Sequence, residues 1–340
     1  MNMRYKIKNL TLLVLLMLFW GMGKGYAIDV TLTIDEHVTA PAGLNAAERN
    51  LAQILTEINR AQRAHAILEL GGLKMDEFAK KSLASIWAVT PFVVDDEEIV
   101  ERCWVFKNGT MMVSHIPLIM KPEGETFGLG NYQEAVVEFD RNGRITDFRF
   151  AISPQIGESM QHCGVEEVEK TSIIRRALEK FRTAYCQKDI NTIDAMFSED
   201  AVIITGKVVS TQPSKDIQVK SYKVEYTKQT KEQYIRNLKK AFARNKWIDV
   251  KFSDIGENGE IGGCAGITRS KVDPTKFGVR LRQTWKSQNY SDEGYLFLLW
   301  EFPENGKDPI IHVRTWQPEW VGGTRQKPDN DISTLGGFDL

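Results

Sequence analysis

The stretch that decides the fold lies in the middle of the chain. It reads Arg176-Ala-Leu-Glu-Lys-Phe-Arg-Thr-Ala-Tyr-Cys-Gln-Lys-Asp189 and continues, after three intervening residues, as Ile193-Asp-Ala-Met-Phe-Ser-Glu-Asp-Ala-Val202. Apolar residues recur every three or four positions in the first part, which is the period of a helix. Asp189 stands where a side chain caps a second, short helix, and the polar turn after that helix leads into an apolar run. The stretch therefore predicts a long helix, a short helix and then a strand.

The residues that follow extend this order. A strand over 217–226 leads to another helix, and the start of that helix has Thr230 and Gln233 in the spacing of a capping box. Five runs with the period of a strand come next, at 247–255, 261–271, 277–287, 294–302 and 309–317. Helices that come first and antiparallel strands that follow predict an α+β layered fold, not a doubly wound sheet.

The first half of the chain repeats the same order of elements. Helical periodicity runs from about Ala46 to Leu70, where Gly71-Gly72 is expected to end the helix, and a shorter helix begins at Met75. Four predicted strands follow, at 98–106, 110–119, 131–139 and 144–152. We therefore predict two α+β modules in tandem, separated near residues 153–165.

The central stretch resembles the opening of the nuclear transport factor 2-like superfamily, which includes SnoaL-like and polyketide cyclase-like proteins. The resemblance implies a cone, in which helices pack on a strongly curved antiparallel sheet with a pocket between them. It covers residues 165–317, and residues 44–155 resemble a shorter, degenerate copy. Residues 28–43 then form a strand and linker, and residues 318–340 form a tail. Members of the superfamily include enzymes and proteins that only bind or dimerise, so the motif predicts a fold and not a chemistry.

Residues 1–27 have the three parts of a cleavable signal peptide. Arg4, Lys6 and Lys8 make a positive start, an apolar run extends over residues 10–20, and Gly25-Tyr26-Ala27 offers small residues for cleavage. The apolar run is short for a membrane span, which needs about 20 residues. We therefore expect a periplasmic or secreted protein that begins near Ile28, with no membrane span in the mature chain.

Composition excludes several other classes of protein. The chain has 44 Lys or Arg and 45 Asp or Glu residues. A basic region at 207–246 is explained by solvated surface in an exported protein, so we expect no nucleic-acid partner. Four cysteines have no metal-binding spacing, and we expect mostly buried free thiols with room for one disulfide; they are Cys103, Cys163, Cys186 and Cys264. No phosphate-binding glycine motif is present, and we expect neither cofactor nor metal.

Candidate catalytic residues come from the resemblance and from strand alternation. Catalytic members of the superfamily usually place a His or an Asp in the cone, often with a Tyr. In the last predicted strand, strict alternation puts His312, Arg314 and Trp316 on one face. Asp200 and Tyr185 lie at the transition from helix to strand, which is near the cone mouth in relatives. The competing interpretation is that the face with His312 is the outer face of the sheet, where this fold commonly dimerises.

Candidate ligand-binding residues are the aromatic side chains of the C-terminal module and one arginine. They are Trp285, Tyr295, Trp300, Arg314 and Trp316. Such a set lines a cavity for a flat ligand, or it fills the core between sheet and helices. Our leading hypothesis is an exported, non-enzymatic protein that binds a small ligand or an envelope protein, with a homodimer left open. The alternatives are a lyase or isomerase that uses His312 or Asp200 as its base, and a structural subunit of an envelope assembly.

Overall fold

The computed structural model describes residues 27–124, 126, 128–152, 156, 168–210, 221–255, 267–303 and 307–328. The predicted signal peptide up to residue 26, the predicted boundary at 153–165 except Ile156, and the tail from residue 329 lie outside these residues. Within them, no helix is both long enough and apolar enough to cross a membrane.

The N-terminal module packs two helices on a six-stranded sheet. The helices are α1 (Leu44–Arg63) and α2 (Glu77–Val89). The strands are β1 (Asp29–Thr33), β2 (Phe92–Val93), β3 (Glu98–Val105), β4 (Met111–Met120), β5 (Tyr132–Phe139) and β6 (Ile145–Phe150). Their order is β1-β3-β4-β5-β6, and β2 pairs with β4. The buried stripe of α1, which includes Leu51, Ile54, Leu55 and Ile58, faces this sheet.

The C-terminal module packs three helices on a seven-stranded sheet. The helices are α3 (Val168–Cys186), α4 (Ile190–Met196) and α5 (Lys231–Arg244). The strands are β7 (Phe197–Ser210), β8 (Tyr222–Gln229), β9 (Ile248–Ser253), β10 (Ile267–Arg269), β11 (Lys276–Ser287), β12 (Ser291–Glu301) and β13 (Ile310–Pro318). Their order is β10-β11-β12-β13-β7-β8, and β9 pairs with β11. A short hairpin follows, formed by β14 (Trp320–Val321) and β15 (Thr324–Arg325).

The predicted fold class is confirmed, since the protein is α+β and its strands form two separate large sheets. Both sheets are mixed and not purely antiparallel, because β1 pairs with β3 and β13 pairs with β7 in parallel. Each of these pairs joins the first strand of a module to a strand reached only after the chain has crossed through helices. A crossover of that kind is what parallel pairing requires.

Local capping signals are reproduced, while one predicted helix end is wrong. The Asp189 side chain accepts hydrogen bonds from the first backbone amides of α4, and Thr230 and Gln233 form a complete capping box on α5. Helix α1 ends at Arg63 and not near Leu70. His65 takes a left-handed φ of 49°, and the backbone N–H of Ala66 donates to the carbonyl of Ala61. This arrangement ends the helix, although the left-handed position is usually occupied by glycine.

Two of the four cysteines lie within the described residues. Cys103 and Cys186 are buried free thiols, as predicted for most of the set. Burial raises the pKa of Cys103 to about 11 and that of Cys186 to about 12, so both stay protonated. Cys163 and Cys264 lie outside the described residues.

Helix α3 joins the two modules, because it lies between β6 of one sheet and β9 of the other. In its second half every residue except Lys180 is buried, including the charged residues Glu179 and Arg182. On β6, the fully buried Arg149 binds Glu179 of α3 at 2.8 Å, Asp147 at 2.9 Å and Glu138 at 2.7 Å. We call these four residues the Arg149 cluster.

A second polar contact joins the modules beside this cluster. The carboxylate of Asp249 on β9 accepts a hydrogen bond of 2.9 Å from the side-chain amide of Gln133 on β5. Arg182 of α3 donates to the same Gln133 side chain and to the carbonyl of Val250, at 2.7 Å in the second case. Burial raises the pKa of Asp249, while the charges of Lys251 and Arg182 and the hydrogen bond from Gln133 act in the opposite direction and favour the carboxylate.

Candidate functional site

The inner face of the C-terminal sheet, the face that packs on helices α3 to α5, carries a group of polar side chains. The pairing of β11, β12 and β13 places Leu281, Leu296 and Trp316 side by side, and all three belong to the hydrophobic core. Alternation along β13 then brings Arg314 onto the same face as Trp316. Arg314 is only 5% exposed, so a charged side chain lies inside the cone.

Two tyrosines from the helices meet this arginine. The hydroxyl groups of Tyr185 on α3 and Tyr234 on α5 are 2.6 Å apart, and both side chains are buried. The Arg314 guanidinium carbon lies 5.2 Å from the centre of the Tyr234 ring, within cation–π range. Its Nη2 donates to Gln283 Oε1 at 3.4 Å, a long hydrogen bond from β11. The Trp285 ring stands edge-on to Tyr185, with ring centres 5.9 Å apart.

Asp292 completes the group from β12. A three-residue connection between β11 and β12 fixes the register, so that Asp292 lies opposite Trp285. The Tyr290 hydroxyl donates to Asp292 Oδ2 at 2.6 Å, whereas Oδ1 is buried without a partner. We call Tyr185, Tyr234, Gln283, Trp285, Asp292, Arg314 and Trp316 the cone cluster.

Burial governs the ionisation of the cone cluster. It raises the pKa of Asp292 to about 6, against the opposing effects of the Tyr290 hydrogen bond and the Arg314 charge. It also raises the pKa of Tyr185 well above its ordinary value, so this hydroxyl is neutral. Burial opposes the charge of Arg314, but Tyr234, Tyr185 and Asp292 favour it more, and the pKa of the guanidinium is raised.

Gly294 lets the Trp316 ring lie where it does. A Cβ atom at position 294 would stand 2.6 Å from two ring atoms of Trp316 and closer still to the carbonyl of Gln317. The indole therefore occupies the space that a side chain on β12 would otherwise take. This close approach brings the Trp316 ring over the strand that carries Asp292.

His312 does not share a face with Arg314, and the alternation predicted for it is wrong. Trp300 pairs with Ile311 and Leu299 pairs with Val313, so His312 is an extra residue in a β-bulge. Its Nε2 lies 2.6 Å from Oε2 of Glu301, the residue that follows the buried Trp300 on β12.

Two further candidates lie away from the cone cluster. Tyr295 pairs with Arg282 and Gln317 on the outer face, where its hydroxyl donates to the carbonyl of Gln326 at 2.9 Å beside the C-terminal hairpin. Asp200 is exposed and accepts a hydrogen bond from the Ser198 hydroxyl, which lowers the pKa of Asp200.

The other candidates lie on the inner face, at two depths. Trp285, Arg314 and Trp316 belong to the cone cluster together with Tyr185. Trp300 is fully buried among aromatic rings and lies 5.9 Å from Phe181, measured between ring centres, so it serves the core.

Sequence reasoning missed Tyr234, Gln283 and Asp292. Gln283 and Trp285 are two residues apart on one strand, so alternation alone would have paired them. Asp292 required the register of the β11–β12 hairpin, and Tyr234 required the packing of α5 on the sheet.

A separate small cavity lies at the junction of the modules. Its volume is about 20 Å³, and Thr90, Cys186, Trp247 and Asp249 are among its lining residues. That volume holds about one water molecule and is far below the several hundred Å³ of a typical ligand site. In the described part of the chain, no group of three or more His, Cys, Asp or Glu residues could hold a metal ion.

Comparison with known proteins finds similar folds only. No family model and no curated protein matches the chain. Among solved structures, it is similar to Bd1075 of Bdellovibrio bacteriovorus at 14% identity and a TM-score of 0.32, over 46% of this chain and 42% of that one. The chain thus spans less than half of the Bd1075 structure.

It is also similar to two proteins described as NTF2-like and of unknown function. One, from Shewanella oneidensis MR-1, has 13% identity and a TM-score of 0.30, over 43% of this chain and 98% of that one. The other, from Pseudomonas putida KT2440, has 12% identity and a TM-score of 0.31, over 48% and 95%. These structures bear the name of the superfamily that the central stretch resembles, and they carry no information about function here.

Proposed function

We propose that this protein is exported and binds a small ligand in the cone of its C-terminal module, without chemistry of its own. The observation that carries the proposal is the cone cluster, in which polar groups from two helices and three strands meet among aromatic rings. Small-molecule sites typically combine apolar walls with a few convergent polar groups, and the cone cluster has that composition. The aromatic walls are Trp285, Trp316 and the two tyrosines.

The N-terminal module supports this site indirectly. Helix α3 contributes Glu179 to the Arg149 cluster and Tyr185 to the cone cluster. A binding role for the whole chain therefore needs both modules, and the test uses the full mature protein.

The direct test is mass spectrometry of small molecules that are released when the purified, exported protein is denatured. The informative variant is Tyr185→Phe combined with Tyr234→Phe, which removes the paired hydroxyls and keeps the rings. The matched control is Tyr295→Phe, which removes one buried hydroxyl from the outer face. We expect a molecule that is retained by the parent and the control and is lost from the double variant. Equal retention in all three proteins would place the ligand elsewhere.

Export is proposed from the residues of the predicted signal peptide. At the expected new N-terminus, Ile28 is buried, and its backbone nitrogen lies 3.0 Å from the Thr56 hydroxyl. Sequencing the N-terminus of protein from the exported fraction tests the proposal, and a start at Met1 would contradict it.

The enzyme alternative has one observation in its favour, and it concerns a residue other than His312 or Asp200. Asp292 lies in the cone, is partly exposed, and has a pKa of about 6, which suits a general base near neutral pH. If the cone is catalytic, Asp292→Asn should abolish turnover of the molecule that co-purifies, while binding persists. Conversion that continues with Asp292→Asn would remove this alternative.

A further inference from the structure

Arg314 forms no direct salt bridge with a described residue, and Asp292 acts on its charge only from a greater distance. One nitrogen, Nη2, makes a long hydrogen bond to a neutral glutamine, and the face of the group lies on the Tyr234 ring. The other two nitrogens, Nε and Nη1, are buried and have no hydrogen-bond acceptor. A buried cation is costly unless it is paired and its N–H groups are bonded. The guanidinium of Arg314 therefore has N–H groups that no described residue satisfies.

One further donor of the cone cluster is unpaired in the same way. The indole Nε1 of Trp316, two residues along β13, is also buried without an acceptor. Opposite these three N–H donors, the cone cluster offers one unpaired acceptor, Asp292 Oδ1. A complementary ligand must therefore bring acceptor atoms and negative charge, since donors are already in excess.

From these atoms we infer that the ligand is a small organic carboxylate whose oxygens accept hydrogen bonds from Arg314 and Trp316. The inference rests on the proposed function, because it names the chemical class that the same cone binds. A single negative charge matches a single guanidinium that already has an acidic residue, Asp292, near it. A doubly charged phosphate would be repelled by that carboxylate and would find no second cation in the cone cluster. The aromatic walls suit an apolar body on the carboxylate.

The ligand reaches Arg314 past Trp285 and Asp292, which are the partly exposed members of the cone cluster. The guanidinium itself is buried, so the Trp285 ring has to move for a ligand to contact it. Tryptophan fluorescence is therefore expected to change on binding, and this change reports on the cone directly.

The experiment is calorimetric titration of the full mature chain at pH 7 with two matched pairs of probes. Each pair is a carboxylate and its neutral amide: acetate with acetamide, and benzoate with benzamide. The titrations are repeated with Arg314→Met, with Arg314→Lys, and with His312→Ala as a control on the same strand but off the inner face. Circular dichroism checks that each variant is folded, and Arg314→Lys, which keeps the charge, provides a second test if Arg314→Met does not fold.

We expect at least one carboxylate to bind the parent and the His312→Ala control with equal affinity. Removing the cation should weaken that carboxylate at least about tenfold and its amide less than about twofold, because only the charged partner depends on the guanidinium. Arg314→Lys should bind the carboxylate more tightly than Arg314→Met does, because the lysine keeps a positive charge without the fork geometry.

Three results would overturn the inference. One is binding of the amides as tightly as of the acids, which would leave the cone as a binding site for neutral ligands. Another is carboxylate binding that Arg314→Met does not weaken. The third is that no carboxylate binds at a concentration of about 10 mM, which is far above the dissociation constant of a useful site. The proposed function fails separately, when the paired tyrosine variant retains the co-purifying molecule as the parent does.

Discussion

Each module buries one arginine on a strand, and the two arginines differ in how many of their N–H groups have partners. Arg149 has three carboxylates within 3 Å, and its pKa is raised by Glu179, Glu138 and Asp147 despite complete burial. Arg314 has a glutamine, two tyrosines and a more distant Asp292, and two of its nitrogens have no partner.

The difference distinguishes a charge that is fully paired within the protein from one whose N–H groups are partly unpaired. The Arg149 cluster is complete within the protein, so its role is to fix α3 against the N-terminal sheet. The cone cluster has unpaired hydrogen-bond donors, which is why we propose that it binds a ligand. Burial alone would rank the two arginines together, and only the fate of each N–H group distinguishes them.

The largest effect is expected from Arg149→Met. Removing the cation leaves Asp147 without an ion pair among the described residues, and it leaves Glu179 and Glu138 with only their partly exposed partners Arg175 and Arg176. Breaking a buried ion pair in this way typically costs about 3–5 kcal/mol of the free energy of unfolding. Urea denaturation measures this loss. Arg102→Met is the matched control, because its ion pair with Asp35 is half-exposed and is worth less than about 1 kcal/mol. A loss of the same size in both variants would mean that the Arg149 cluster is not a structural joint.

The next effect concerns Asp292→Asn and depends on pH. Burial raises the pKa of Asp292 from its ordinary value of 3.8 to about 6 in the folded protein. Its contribution to stability is therefore full below about pH 4 and is lost as the pH rises through about 6, which amounts to roughly 2–3 kcal/mol. The groups that act on this carboxyl are Tyr290 just before its strand, Glu293 on the same strand and Arg314 on β13.

Asparagine cannot ionise, so Asp292→Asn should be more stable relative to the parent at pH 8 than at pH 4. The free energies of unfolding at the two pH values give the comparison. Parallel pH profiles for parent and variant would show that Asp292 is not desolvated, and the cone cluster would then be more open than described.

A smaller effect is expected from Gly294→Ala, which tests the packing beside Arg314. The new Cβ would meet the Trp316 ring at 2.6 Å, and forcing the ring away should cost about 1–3 kcal/mol of stability. A shift in tryptophan fluorescence should accompany the loss. Gly71→Ala is the control, because no other atom lies within 4 Å of its Cβ position. Unchanged fluorescence in Gly294→Ala would place Trp316 elsewhere.

The smallest effect on stability is expected from Arg314→Met, and it is the sharpest contrast with Arg149→Met. Replacing an unpaired buried cation by an apolar side chain of similar length removes a desolvation cost, so the free energy of unfolding should stay within about 1 kcal/mol of the parent or rise. Urea denaturation without added ligand measures it. A loss as large as that of Arg149→Met would show that Arg314 is structural after all.

Features set by neighbours in sequence were predictable, and the cone cluster was only partly so. The Asp189 cap and the Thr230–Gln233 capping box depend on a few adjacent residues, and both are reproduced. Most strands of the structure begin and end close to the predicted bounds, because period-two patterns report the burial of one sheet face. The end of α1 was missed because His65 takes the left-handed position without a glycine to signal it.

The prediction of the site from sequence failed where strand register or packing decides which side chains meet. The extra residue at His312 reverses the expected alternation, and nothing in the run from Ile311 to Trp316 marks a bulge. Tyr295 is different: it is five residues from Trp300 on one strand, so alternation already put the two on opposite faces. One of the carboxylates around Arg149, that of Glu179, comes from α3, 30 residues away in the chain. No local sequence pattern could therefore predict this contact.

Helix α3 gives the molecule a mechanical property. Glu179 and Tyr185 are six residues apart on one helix, which separates them by about 9 Å along a rigid rod. Glu179, Arg182 and Thr183 of this helix bind the N-terminal module, and Tyr185, close to its C-terminal end, belongs to the cone cluster. A shift of the helix along its axis against the N-terminal sheet would move the Tyr185 hydroxyl by the same distance. The two modules are therefore mechanically connected through α3.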